Sequence, residues 1–168
     1  MFPRAQHIGV LFDGSPSNER EFESVQTTAT VLGKALLPLR IDNSDAVRAA
    51  LDNARVKNVD SLIFVSSPIF TANAQRIVEL VRNFGLPAIY EDRVLVQTGG
   101  LMSYGPNLNE EFRRVAFFAD RILKGTKPTD LPIEQPTTFE LVINRKTAKV
   151  LGLEIPPTLL ARADEVIE

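Results

Sequence analysis

The chain contains no cysteine and a single histidine, His7. The first absence excludes disulfides, thiol nucleophiles and thiolate metal sites together. The second leaves histidine-based zinc binding or a Ser–His–Asp relay without partners. No run of about 18 apolar residues occurs, so no segment has the length to cross a bilayer as a helix. An excess of positive charge is missing too: 19 Lys+Arg stand against 21 Asp+Glu, a formal net charge of −2. Nucleic-acid binding needs a concentrated surplus of Lys and Arg, so that class is excluded. Neither G-x-G-x-x-G nor a P-loop pattern is present, which removes the dinucleotide and nucleoside-triphosphate fingerprints. Met1-Phe2-Pro3-Arg4-Ala5-Gln6-His7 leads directly into Ile8–Phe12. That run is shorter than the roughly 7–15 apolar residues of a secretory signal, and the chain as written is expected to stay in the cytoplasm.

What is present belongs to one folded domain: 168 residues, 44% hydrophobic and 24% charged. Short apolar runs alternate with helical patterns. Ile8–Phe12 stops at Asp13-Gly14-Ser15-Pro16 and reads as a buried strand. Phe22, Val25, Ala29 and Leu32 follow at helical spacing, with Gly33 as the residue after the cap. Further strands are expected at 35–41, 61–65, 87–90, 101–104 and 139–143. Helices are expected around Val47, Leu51 and Ala54 (capped by Ser44 or Asp45), around Ile77–Phe84, and from an Asn109 cap through Phe112, Val115, Ala119, Ile122 and Leu123. Asn144 is placed to cap a short helix, and Pro157 to open a last one. Strands separated by helices, with little period-2 alternation, predict a three-layer, doubly wound α/β domain with a parallel sheet.

Open parallel sheets bind ligands beyond the carboxyl ends of their strands. Those ends are expected to carry Asp13-Gly14-Ser15, Ser66-Ser67-Pro68, Glu91-Asp92-Arg93 and Ser103-Tyr104-Gly105. Helix caps favour the same residue types, so no cluster by itself specifies a site. A receiver-type phosphoacceptor is excluded, because Ser66 and Tyr104 stand where an Asp and a Lys are required. His7 precedes the first strand and falls at the opposite edge. Glu91 and Asp92 are adjacent on an extended segment, so their side chains diverge and do not form a carboxylate pair. Phe70, Tyr90 and Tyr104 suit either core or an aromatic platform beside the strand ends.

Longer patterns carry a resemblance. Leu86-Pro87-Ala88-Ile89-Tyr90-Glu91-Asp92-Arg93, Gly99-Gly100-Leu101-Met102-Ser103-Tyr104-Gly105-Pro106-Asn107 and Arg113-Arg114 lead on to Ile122-Leu123-Lys124-Gly125 and 130–136. With Phe139-Glu140-Leu141-Val142-Ile143-Asn144 and Ile155-Pro156-Pro157, the sequence resembles the ABC-transporter substrate-binding proteins of the tryptophan/tyrosine-binding-like type. The resemblance runs through all 168 residues but matches only the second half of that family's length. It implies the second lobe of a type 1 periplasmic binding fold, residues 6–100 and 137–168. A returning segment, 101–136, would hold one helix and a Pro-rich connection. It implies a non-enzymatic, truncated receptor for a small solute such as an amino acid, with no cofactor and no metal. An ABC permease is the expected partner if the protein is exported, and the location it implies is periplasmic or membrane-anchored. Carried over by position, the ligand-facing residues are Asp13, Ser67, Pro68, Phe70, Tyr90, Glu91 and Ser103, with Glu91 pairing a ligand amine. Phe112, Val115 and Phe118 would lack partners and predict homo-oligomerisation, including exchange of the returning segment between chains.

Two alternatives stand beside it. One is a flavodoxin-like cytoplasmic domain holding a phosphorylated small molecule at the Asp13–Ser17 turn. The other is an interaction module without a ligand.

Overall fold

The strand His7–Asp13 (β1) lies inside the sheet of the computed structural model, which describes residues 5–168. Met1–Arg4, on which the export argument partly rests, lie outside the described residues. Val10, Leu11 and Phe12 are almost wholly buried, which accounts for the unbroken apolar run: both faces of this strand are covered. Ala35–Ile41 (β2), Ser61–Phe64 (β3), Ala88–Tyr90 (β4), Met102–Pro106 (β5), Phe139–Asn144 (β6) and Glu165–Ile167 (β7) complete the sheet in the order β2-β1-β3-β4-β5-β6-β7. The pairs from β2 through β5 are parallel, as expected. The β5–β6 pair is antiparallel, and β7 then runs parallel to β6. An all-parallel sheet is therefore corrected at this edge. A chain that leaves along β5 and returns beside it needs no crossover between those two strands.

Helices cover both faces, giving the three-layer α/β architecture. On one face lie Ala46–Val56 (α2), Pro68–Ala72 (α3), Ala74–Phe84 (α4) and Arg93–Gln97 (α5). Val47, Leu51, Ile77 and Val81 meet Leu11, Leu62, Phe64 and Tyr90 there in the main core. On the other face Pro16–Val31 (α1) packs Phe22 and Val25 onto Val10, Phe12 and Val65. The rings of Phe12 and Phe22 stack 4.8 Å apart. Arg145–Val150 (α7) and Pro157–Leu160 (α8) bring Ala148, Leu159 and Leu160 over Leu101, Met102, Leu141 and Ile143.

Leu32 departs from its expected stripe: it is the C-cap of α1 and stays exposed. Asp45 is the N-cap of α2, as expected, but its side chain makes no capping bond; Asn43 Oδ1 accepts the amides of Asp45 and Ala46 instead. Asn107, not Asn109, caps Leu108–Leu123 (α6) by accepting the amides of Asn109 and Glu110 at 3.1 and 3.2 Å.

That 16-residue helix is the exception to the packing. It is amphipathic, yet none of its residues is buried, and Phe112, Val115, Ile122 and Leu123 are all exposed. With the Pro128–Asp130 turn it forms an arm that leaves the lobe at Pro106 and returns at Phe139. An ion pair between Arg114 and Glu134 ties the arm's two limbs.

Packing therefore divides unequally between the two parts. Phe64→Ala is expected to cost about 3–5 kcal/mol, because it empties a ring position inside the main core. Phe112→Ala on the arm is expected to stay within about 0.5 kcal/mol of the parent chain. Urea unfolding of the two variants side by side checks this.

Candidate functional site

The parallel strands β1, β3 and β4 end at the same edge, so chain positions far apart in sequence converge there. β1 delivers Asp13, whose Oδ1 accepts the Ser15 amide at 2.9 Å. Ser15 caps α1, its Oγ accepting the Asn18 amide at 3.4 Å. Three residues beyond β3, buried Ser67 donates its hydroxyl to Asp13 Oδ2 at 2.6 Å and accepts the Ile69 amide at 3.2 Å as the cap of α3. Beyond β4, Glu91 Oε2 accepts the Ser66 amide at 2.8 Å. Asn18, buried in the first turn of α1, donates through Nδ2 to the Ser66 carbonyl at 3.0 Å. The result is one polar network from α1 to the β4–α5 turn.

Burial alone would raise the Asp13 pKa, but hydrogen bonds from Ser15, Ser67 and Asn18 outweigh it. They hold the carboxyl below its ordinary range. Glu21, one turn after Asn18 on α1, is shifted the other way, first by desolvation and then by the charge of Glu91 and a hydrogen bond shared with it. The carboxyl partner of Glu91 is thus Glu21, not Asp92, whose own side chain accepts the Val94 amide at 2.8 Å and caps α5. Two hollows flank Glu91. One of about 80 Å³ is lined by Ser66, Asp92, Arg93, Pro106 and Leu108. The larger, about 310 Å³, runs over the α1 face past Glu21, Val25, Ile63, Ile89, Tyr104 and Phe139. Tyr104 and Phe139, both exposed, stack 5.7 Å apart at its rim.

The residues expected at the site separate into two levels. Asp13, Ser67 and Glu91 meet through the network, and Pro68 stands exposed at the rim as the first residue of α3. Phe70 and Tyr90 lie below the edge: each is almost wholly buried and packs its ring against Phe64. Burial also raises the Tyr90 phenol pKa. Ser103 is not at a strand end, because β5 runs on to Pro106 through pairing of Gly105 with Glu140 and Pro106 with Phe139. Ser103 is buried beside Tyr90 in register, and its hydroxyl has no partner. His7 is exposed at the opposite edge, near Asp60.

Sequence reasoning missed Asn18 and Glu21. The signal was their spacing from Ser15: a capping residue followed at +3 and +6 puts both on the same side of α1, facing the strand ends. Among the described residues no group of three His, Cys, Asp or Glu side chains is placed to hold a metal ion.

Glu21→Gln is expected to stabilise the chain at neutral pH. A carboxyl whose folded pKa is raised holds its proton more tightly folded than unfolded, so its cost appears as pH rises through and above 4.5, the ordinary value. The gain should vanish below that pH, as thermal unfolding of both chains across pH 3–8 will show.

Comparison with known proteins agrees with this architecture. The family model for ABC transporter substrate binding protein matches residues 1–167. A conserved domain protein from Vibrio cholerae superimposes with a TM-score of 0.88 at 22% identity, over 98% of this chain and 55% of that one. An ABC domain from Streptococcus pneumonia, solved in complex with L-Trp, gives 0.88 at 23% identity, over 98% and 56%. A ligand-free, open substrate binding protein with adhesive properties from Clostridium difficile gives 0.72 at 20% identity, over 98% and 55%. These likenesses show the fold, and the chain spans about half the length of each. No curated protein matches the sequence.

Proposed function

We propose that this protein, which belongs to the ABC transporter substrate-binding protein family, forms one wall of a cleft that holds a small amine-bearing solute without altering it. The observation that carries the reading is the Glu91 corner. A carboxylate held by the Ser66 amide, with Glu21 beside it and a stacked aromatic pair along the adjoining groove, suits a ligand with an ammonium group and a flat apolar side chain. An aromatic amino acid has both features, and L-tryptophan is the first compound to test, since a structural neighbour carries it. Asp13 and Ser67 hold the turns that present the edge, with Pro68 at its rim. Phe70, Tyr90 and Ser103 support the edge from beneath.

The other wall belongs to a complementary lobe, and the exposed face of α6 is where such a lobe seats. Where none is present, a second copy of the chain takes its place and the protein self-associates. Delivery to an ABC permease from outside the cytoplasmic membrane completes the proposal. No described helix is long and apolar enough to cross a membrane.

The phosphate alternative finds no support in the geometry. The Ser15 and Asn18 amides at the Asp13–Ser17 turn are already taken by Asp13 and Ser15, and the low pKa of Asp13 keeps a negative charge there.

Calorimetric titration with L-tryptophan tests the reading. Binding is expected, and Glu91→Gln should weaken it by about 1.5–3 kcal/mol through loss of a charge-assisted contact. Unchanged affinity in that variant would remove Glu91 from the site. Failure of every aromatic amino acid to bind would overturn the amino-acid reading.

A further inference from the structure

The turn that carries Glu91 also grips both strands through which the arm leaves and re-enters the lobe. On the outgoing side, Gly105 in β5 lies against the Glu91 backbone: a Cβ built there would sit 2.1 Å from the Glu91 carbonyl oxygen. Only glycine permits so close an approach. On the returning side, Arg93 reaches Glu140 in β6 with both contacts from one guanidinium nitrogen, at 3.1 and 2.9 Å, and bonds Glu165 in β7. Glu140 is a nearly buried carboxylate, so this partnership is what its burial depends on. The Glu140 carboxylate also accepts from Asn107 Nδ2 at 3.2 Å, and Asn107 is the residue that caps α6. Contacts therefore run from the Ser66 amide to Glu91 and, two residues further along the backbone of the same turn, from Arg93 through Glu140 and Asn107 to the first turn of the arm.

We infer that the Glu91–Arg93 turn couples the polar edge to the base of the arm, with Arg93 as the positioning residue. The link between the turn and the edge is the bond from the Ser66 amide to the Glu91 carboxylate, and a ligand that draws this carboxylate away would loosen it. Coupling of this kind is reciprocal, so a change at either end is felt at the other. The use of the coupling in ligand binding rests on the function proposed above, whereas its existence does not.

The test therefore needs no ligand. Backbone hydrogen exchange of the full chain is followed at Ser66 and at Asn109 and Glu110, the amides capped by Asn107. Glu140→Gln removes the charge that Arg93 holds. Exchange at Asn109 and Glu110 is expected to rise about fivefold or more, with Ser66 following, while Leu62 inside the sheet stays unchanged. Glu91→Gln probes the reverse direction from a half-buried position outside the core. It should raise exchange at Asn109 and Glu110 as well as at Ser66. A purely structural ion pair would confine each response to its own side, and that result overturns the inference. Should Glu140→Gln fail to fold, the Glu91→Gln result decides alone. Failure of L-tryptophan to bind would not alter these rates, so the two readings fall separately.

Discussion

The structure depends on one constraint: parallel strands release their chain at a common edge. The interiors of β1, β3 and β4 are apolar, and both of their faces are spent on packing. Polar groups therefore gather at the strand ends and the turns that follow, and parallel pairing brings the chain at residues 13, 64 and 90 to one edge. The contacts Asp13–Ser67, Asn18–Ser66 and Ser66–Glu91 all cross between such turns. A site assembled in this way is preorganised by the sheet, because no loop of its own has to be ordered when a ligand arrives.

The same constraint explains the contrast between lobe and arm. Elements that stay with the sheet bury a face, and α2 and α4 do so at Val47, Leu51, Ile77 and Val81. The arm departs where β5 ends and owes its structure to local devices: the Asn107 cap, Glu110 and Glu111 in the first turn, where the helix dipole favours them, and the Arg114–Glu134 pair. Such devices contribute about 0.3–1 kcal/mol each, which shapes a helix but does not replace a core. An amphipathic helix held in that manner leaves its apolar face uncovered. The Arg93–Glu140–Asn107 contacts fix the base from which it projects.

Much of the fold was legible in the sequence, because its strands are short apolar runs closed by turn residues and its main helices carry clear stripes. The seventh strand was not, since Glu165–Ile167 is three residues long and only one of them is apolar on each face. The five-residue helices α3 and α5 were hidden for a related reason: each is barely more than a turn and is defined by its caps, Ser67 and Asp92. The antiparallel β5–β6 pairing depends on where the chain returns, and no local pattern records that. At the site, Asp13, Ser67 and Glu91 were visible as turn residues, and the resemblance to a known family pointed to the same positions. Ser103 was read at a strand end because the strand was expected over 101–104, yet it runs on to Pro106, which closes a strand without needing to donate a hydrogen bond onward. The spacing of Glu21 from Ser15 marks only the side of α1 it occupies; its importance comes from proximity to a residue 70 positions away, which no local pattern records.

The turns after β1, β3 and β4 are proposed as the ligand wall, and the backbone amide resonances of the chain, followed as L-tryptophan is added, put that wall to the test. The shifts are expected to concentrate at Ser15, Ser66, Ile69 and Glu91. Shifts confined to the larger groove of about 640 Å³ beside Lys146, Lys149 and Leu160, at the α7–α8 end of the lobe, would contradict it.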